Sequence, residues 1–146
     1  MLQGLGDLNV SLILSALGSA MGIGAAGMAA VGAWKKAFSL NKAAPFIMVA
    51  FVGAPLSQTF YGFLVRDAIR KAPWPAEAGW APVLIGALAG IAIGLSAFIQ
   101  GKIGAKASDA LGETGKGFAN YLMAIGIIET VAIFVMVFVT MAMPKG

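Results

Sequence analysis

Four stretches of this sequence, 8–33, 45–65, 81–100 and 119–143, are almost free of charge and long enough to cross a lipid bilayer. A helix needs about 20 apolar residues for that crossing. The third stretch continues, less apolar, toward Ala107. Of 146 residues, 60% are hydrophobic, while ten Lys or Arg and six Asp or Glu carry all the side-chain charge. So few charges cannot clothe a soluble domain, and lipid is the solvent that the composition fits. In lipid every backbone polar group must be bonded internally, which leaves helices or a closed barrel, and four spans are too few for a barrel. The expectation is an all-α integral membrane protein. No basic segment precedes the first stretch, and Asp7 stands there instead, so it reads as a mature span and not as a leader. Trp34, Trp74 and Trp80 fall near span ends, where an interfacial aromatic belt belongs.

The connecting segments are polar: "WKKAFSLNKA", "RDAIRKAPWPAEAG" and "KASDALGETGKG". Their basic residues are dispersed between apolar runs, so they read as orientation signals and not as a nucleic-acid surface. Lys35, Lys36, Lys42, Lys102, Lys106 and Lys116 lie toward the two intra-hairpin loops, against Arg66, Arg70, Lys71 and Lys145 on the other side. This bias of six to four puts those loops in the cytoplasm and both termini outside. With no cysteine and no histidine, disulfides, thiolate or imidazole metal sites and Cys/His catalysis are excluded.

The chain repeats itself. Its first and third spans are rich in Gly and Ala, and its second and fourth are bulkier with a polar residue at mid-span. Setting "APLSQTFYGF" against "IGIIETVAIF" places Gln58 on Glu129, Thr59 on Thr130 and Phe63 on Phe134. The expected organisation is two tandem helical hairpins, 1–72 and 73–146, from one duplicated unit. Gly18 and Gly22, and likewise Gly86, Gly90 and Gly94, recur every fourth residue. Such stripes let backbones approach closely in lipid. They fit either packing within one four-helix chain or the crowded inner wall of an oligomeric ring. "GIGAAG" (22–27) has dinucleotide-fingerprint spacing, but it lies inside an apolar helix and follows no strand. No Walker A sequence is present either, so no nucleotide site is expected in this chain.

Within 119–143 the one charged residue is Glu129, near the centre. A charge at that depth costs roughly 2.5–3.5 kcal/mol on insertion scales. Protonating it or pairing it with a cation avoids that cost, and both describe an ion carrier; the plain alternative is a permanently protonated structural glutamate. In the second span Ala54, Ser57, Gln58 and Tyr61 follow i, i+3, i+4, i+7 spacing and share a helix face. Pro55 lacks an N–H and so leaves backbone oxygen underused there. Gln100 in the third span adds an amide. A hydroxyl, two amide oxygens, a carbonyl and a carboxylate are hard ligands suited to a small hard cation. A proton needs fewer, so the surplus favours Na⁺ over H⁺. The plainer role for Gln58 and Gln100 is interhelical glue, about 1 kcal/mol each.

Four motifs carry a family resemblance: "GSAMGIG", "APLSQTFYGFLV", "FIQGKIGAKA" and "IIETVAIF". Together they resemble the proteolipid, or rotor-ring subunit, of V-type and A/V-type rotary ATPases in its bacterial double-hairpin (subunit K) form. The resemblance implies a homo-oligomeric ring in a bacterial inner membrane. It implies a non-catalytic subunit that carries Na⁺ at a site made of Glu129, Gln100, Gln58, Ser57 and the Ala54 carbonyl, with Tyr61 hydrogen-bonding Glu129. Ser57 stands where threonine is usual and keeps the hydroxyl. Implied partners are identical subunits, a stator membrane subunit with an arginine, lipids, and the central stalk of a soluble ATPase head seated near 34–42 and 108–117. Alternatives are the same rotor with H⁺ as the ion, or a stand-alone four-helix cation-coupled exporter. The small multidrug exporters carry their buried glutamate in the first span, whereas here it is in the fourth.

Overall fold

The computed structural model describes residues 6–145. Those residues are all-helical, with four helices long and apolar enough to cross a membrane: Val10–Ser39, Phe46–Lys71, Ala81–Thr114 and Phe118–Met141. They run up and down, so that one end of the bundle carries residues 6–9, 72–80 and 142–145, and the other carries the two intra-hairpin loops. The helices outrun the apolar stretches. The first extends to Ser39 and the third to Thr114, so much of 34–42 and 108–117, expected as loop, is helix. The second likewise absorbs 66–71 of the segment read as a connector. A helix need not stop where the lipid does, because water satisfies its polar faces beyond the hydrocarbon. The third helix ends where Gly115 turns left-handed at φ 67°, a conformation that suits glycine.

Contact is most extensive between the first and third helices, and the glycine stripes explain it. Gly18 abuts the backbone of Gly94, and Gly22 abuts that of Gly101, so close that neither side could admit a Cβ without moving backbone. Gly86 faces Asp7 and Gly90 faces Ser11. The stripes are therefore mated with one another within the chain. The second and fourth helices lie outside this pair. Two apolar clusters hold them. One, toward the loops, gathers Ala30, Met48, Phe51, Ala107, Leu111 and Ile125, with Phe118 stacked on Phe51 at 5.3 Å between ring centroids. The other, toward the termini, gathers Val65, Ile69, Ala89, Ile93, Ala132 and Met143.

The first helix begins two residues later than its apolar stretch. Leu8 and Asn9 take left-handed backbone angles, and the Asp7 carboxylate locks that turn. Its Oδ1 accepts the Asn9 N–H at 3.0 Å, and its Oδ2 accepts the Ser11 N–H at 2.9 Å and the Ser11 hydroxyl. Asp7 is 1% exposed. It answers helix-start donors that have no intrahelical partner, a role that its place just outside an apolar run does not reveal.

Gly101→Ala is expected to destabilise the protein by about 1–3 kcal/mol, because the new methyl meets the Gly22 backbone and has no side chain to push aside. Thermal unfolding of the purified protein in detergent measures it, and an unchanged midpoint would show that the first and third helices do not depend on this contact.

Candidate ion-binding site

The second helix is not uniform. It starts with a 3₁₀ turn, Phe46–Met48, runs as α-helix over Val49–Gly53, tightens to 3₁₀ over Ala54–Leu56, and resumes as α-helix from Ser57 to Lys71. The tightening surrounds Pro55, which cannot donate to the carbonyl of Phe51. The third helix accommodates that carbonyl with Gly104, where a Cβ would stand 2.8 Å from the Phe51 oxygen. The same turn presents the Ala54 carbonyl to the N–H and hydroxyl of Ser57.

Between the two apolar clusters, three helices bring their polar residues together. Glu129 Oε1 accepts from the Ser57 hydroxyl at 2.6 Å and from the Tyr61 phenol at 2.8 Å. Gln100 Nε2 approaches Oε2 at 3.4 Å and donates to the Ile125 carbonyl at 3.0 Å. Gln58 Nε2 donates to Gln100 Oε1 at 2.8 Å. Ser57 Oγ also stands 3.1 Å from the Ala54 carbonyl and 3.1 Å from Gln58 Oε1. All six residues singled out from the sequence are thus joined in one hydrogen-bonded set, and the shared helix face of Ala54, Ser57, Gln58 and Tyr61 is the face that meets Gln100 and Glu129.

Burial divides the set in two. Gln58 and Gln100 are wholly enclosed, whereas Ser57, Tyr61 and Glu129 are half-buried where the second and fourth helices meet. The amides form a fixed inner wall, and the carboxylate faces the outer side of the chain. The Ile125 carbonyl, which orients Gln100, has no sequence signal, since every residue has a carbonyl. Ser96, donating to the Ile128 carbonyl at 2.9 Å, likewise ties the third helix to the fourth beside the site. Among the described residues no group of three or more His, Cys, Asp or Glu clusters.

This arrangement defines a class of protein: a four-helix membrane protein with a single sheltered carboxylate set among oxygen donors. Residues 83–142, the bulk of the third and fourth helices, match the model of the ATP synthase C-subunit family. The likeness covers the second hairpin, less than half of the chain, and is to a family of ion-translocating rotor subunits that form oligomeric rings in the membrane. No curated protein matches the chain. Gln100 and Glu129 lie within the matched segment, and Ala54, Ser57, Gln58 and Tyr61 lie outside it.

A hydrophobic carbodiimide is expected to modify Glu129 in preference to the other acids, because it is the one acid at mid-membrane depth and its Oε2 has only a long contact to Gln100. Peptide mass spectrometry reads the result, and modification chiefly at Asp67 or Glu113 would contradict it. Tyr61→Phe removes one of the two bonds to Oε1, worth about 1.5–3 kcal/mol if the carboxylate is charged, and should speed that labelling.

Proposed function

We propose that this chain is the Na⁺-carrying rotor-ring subunit of a bacterial V-type (A/V-type) rotary ATPase, in its double-hairpin form. The observation that carries the ion assignment is the surroundings of Ser57 Oγ. Three acceptors, the Ala54 carbonyl, Gln58 Oε1 and Glu129 Oε1, converge on it within 3.1 Å. A hydroxyl has one proton and can satisfy one of them fully. A small cation lodged among these oxygens satisfies all of them together. Ser57 can keep its proton on Glu129 and offer lone pairs to the ion. Gln100 Oε1, although it accepts from Gln58, retains a second lone pair. Tyr61 supports the reading from outside the ligand set, by holding Oε1 in place.

Loading neutralises Glu129, so that a turning ring can carry the site past lipid without the cost of a bare mid-membrane charge. At the stator an arginine would compete for the carboxylate and release the ion. Moving each Na⁺ across the membrane is worth about 2.3 kcal/mol per 100 mV. The lysine bias orients the intra-hairpin loops to the cytoplasm, where the central stalk would seat on the helix ends at Ser39 and Thr114 and the short turns beyond them. The two hairpins, 1–72 and 73–146, are read as copies of one unit with a carboxylate kept only in the second. The second reading is a rotor that carries H⁺. It rests on the same carboxylate, whose Oε1 is already held by two donors and whose Oε2 is open to a proton.

Carbodiimide labelling of Glu129 against Na⁺ concentration, at fixed pH and ionic strength with K⁺ as control, separates the two. A bound cation keeps the carboxylate ionised and unreactive, so Na⁺ should protect it. Lower pH should weaken that protection, since the proton competes for the same oxygens. Gln58→Leu and Gln100→Leu should each reduce the protection strongly and Ser57→Ala less, with proton binding at Glu129 retained. Labelling that ignores Na⁺ over the millimolar range and follows pH alone would assign the site to H⁺.

A further inference from the structure

The connector between the hairpins, "APWPAEAGW" (72–80), plays no part in the ion site. At the end of the bundle that carries the termini it forms one side of a recess of about 820 Å³. Arg70, Trp74, Pro75 and Trp80 line it, together with Leu8 of the opening turn and Val83 at the start of the third helix. Its polar groups are unequally engaged. The Trp74 indole N–H donates to the Ile69 carbonyl at 2.7 Å, answering one of the oxygens left over where the second helix ends. Nearby, Arg66 donates to Asn9 at 2.7 Å and lies over the Phe63 ring, and Lys71 pairs with Asp67 at 2.7 Å. Arg70 and the Trp80 indole N–H have no partner among the described residues. No carboxylate is among the walls.

Its place in the fold narrows the occupant. The recess lies where apolar helices leave the hydrocarbon, at the level where Trp side chains settle between lipid and water. A guanidinium and an indole N–H are fixed-geometry donors for phosphate oxygens, and Leu8, Val83 and the prolines offer an apolar continuation below them. We infer that this recess is a binding site for the headgroup of an anionic phospholipid, with the phosphate on Arg70 and the indole N–H of Trp80 and the glycerol and upper acyl chain along Leu8 and Val83. With Arg70 the one charged side chain among the described residues of the walls and Glu77 exposed beside them, the recess favours a negative headgroup over a zwitterionic one. The connector then has a task apart from ion carriage: it anchors the junction of the two hairpins to the lipid leaflet at their common end.

The test uses the assembled protein with Trp34→Phe, which removes the indole at the opposite end of the bundle, reconstituted into phosphatidylcholine vesicles. Phosphatidylglycerol or phosphatidylcholine brominated in the acyl chain is added at equal fractions, and quenching of the remaining tryptophan emission is compared. The expected result is about a fivefold preference for the anionic lipid, the worth of one cationic side chain at a membrane surface. Arg70→Gln should bring the two lipids to parity, and millimolar inorganic phosphate should not relieve the quenching. Parity in the unaltered recess would overturn the inference, meaning that a neighbouring copy or the chain's own first residues fill it. So would a preference that survives Arg70→Gln, or one that inorganic phosphate abolishes, which would make the recess a site for free anions.

Discussion

Backbone contact between the first and third helices is the constraint on which the rest of the molecule depends. Lipid gives no hydrophobic reward for bringing two apolar helices together, so their association rests on close packing and on hydrogen bonds. The pairs Gly18–Gly94 and Gly22–Gly101 allow that packing by leaving no side chain between the backbones. Gly101 follows Gln100 directly, so the contact that joins the two helices also fixes where Gln100 starts. From there Gln100 reaches Gln58 on one side and Ile125 and Glu129 on the other. A wider separation would withdraw the inner wall from the carboxylate. Helix packing and the polar site are thus one piece of geometry, and small residues in the third helix serve both.

Pro55 shows the same economy in the second helix. Inside a helix a proline removes a backbone bond and crowds the carbonyl four residues back. Here the damage is confined to one tightened turn, and Gly104 leaves room for the Phe51 oxygen that loses its donor. What the turn yields is an Ala54 carbonyl directed at Ser57, in the middle of an otherwise sealed apolar span. Irregular backbone at membrane depth is tolerated where protein covers it or where it lines a polar site, and both conditions hold at Ala54.

Much of this is legible in the sequence, for reasons that differ from residue to residue. The four helices follow from hydropathy, because nothing else of that length and polarity survives in lipid. The grouping of Ala54, Ser57, Gln58 and Tyr61 follows from helical periodicity, and the solitary charge of Glu129 marks the depth at which they gather. Hydropathy misplaces the helix ends, because it reports where lipid stops and not where the backbone stops being helical; Ser39, Lys71 and Thr114 lie beyond that boundary. The glycine stripes cannot be assigned from sequence to contacts within or between chains, since a missing side chain carries no information about its partner. Asp7 stands out only as a flanking charge, because its function lies in a left-handed turn that no periodicity announces. The Ile125 carbonyl leaves no trace in the sequence at all.

The position of Gln58 brings these threads together. In the repeat it stands opposite Glu129, yet the two side chains do different things. Glu129 sits half-exposed between the second and fourth helices, while Gln58 is fully enclosed and donates to Gln100. If the two hairpins descend from one unit, a carboxylate at position 58 would have stood beside Gln100 and close to Ser57, sharing oxygens with Glu129. Two carboxylates in one dry site oppose each other's ionisation, and one of them must stay protonated. An amide there removes the repulsion, supplies an oxygen that faces Ser57, and gives Gln100 a donor, which a carboxylate could provide only when protonated. On that descent, losing one charge would have done more than silence a second site: it would have turned the first hairpin into the inner wall of the one that remained.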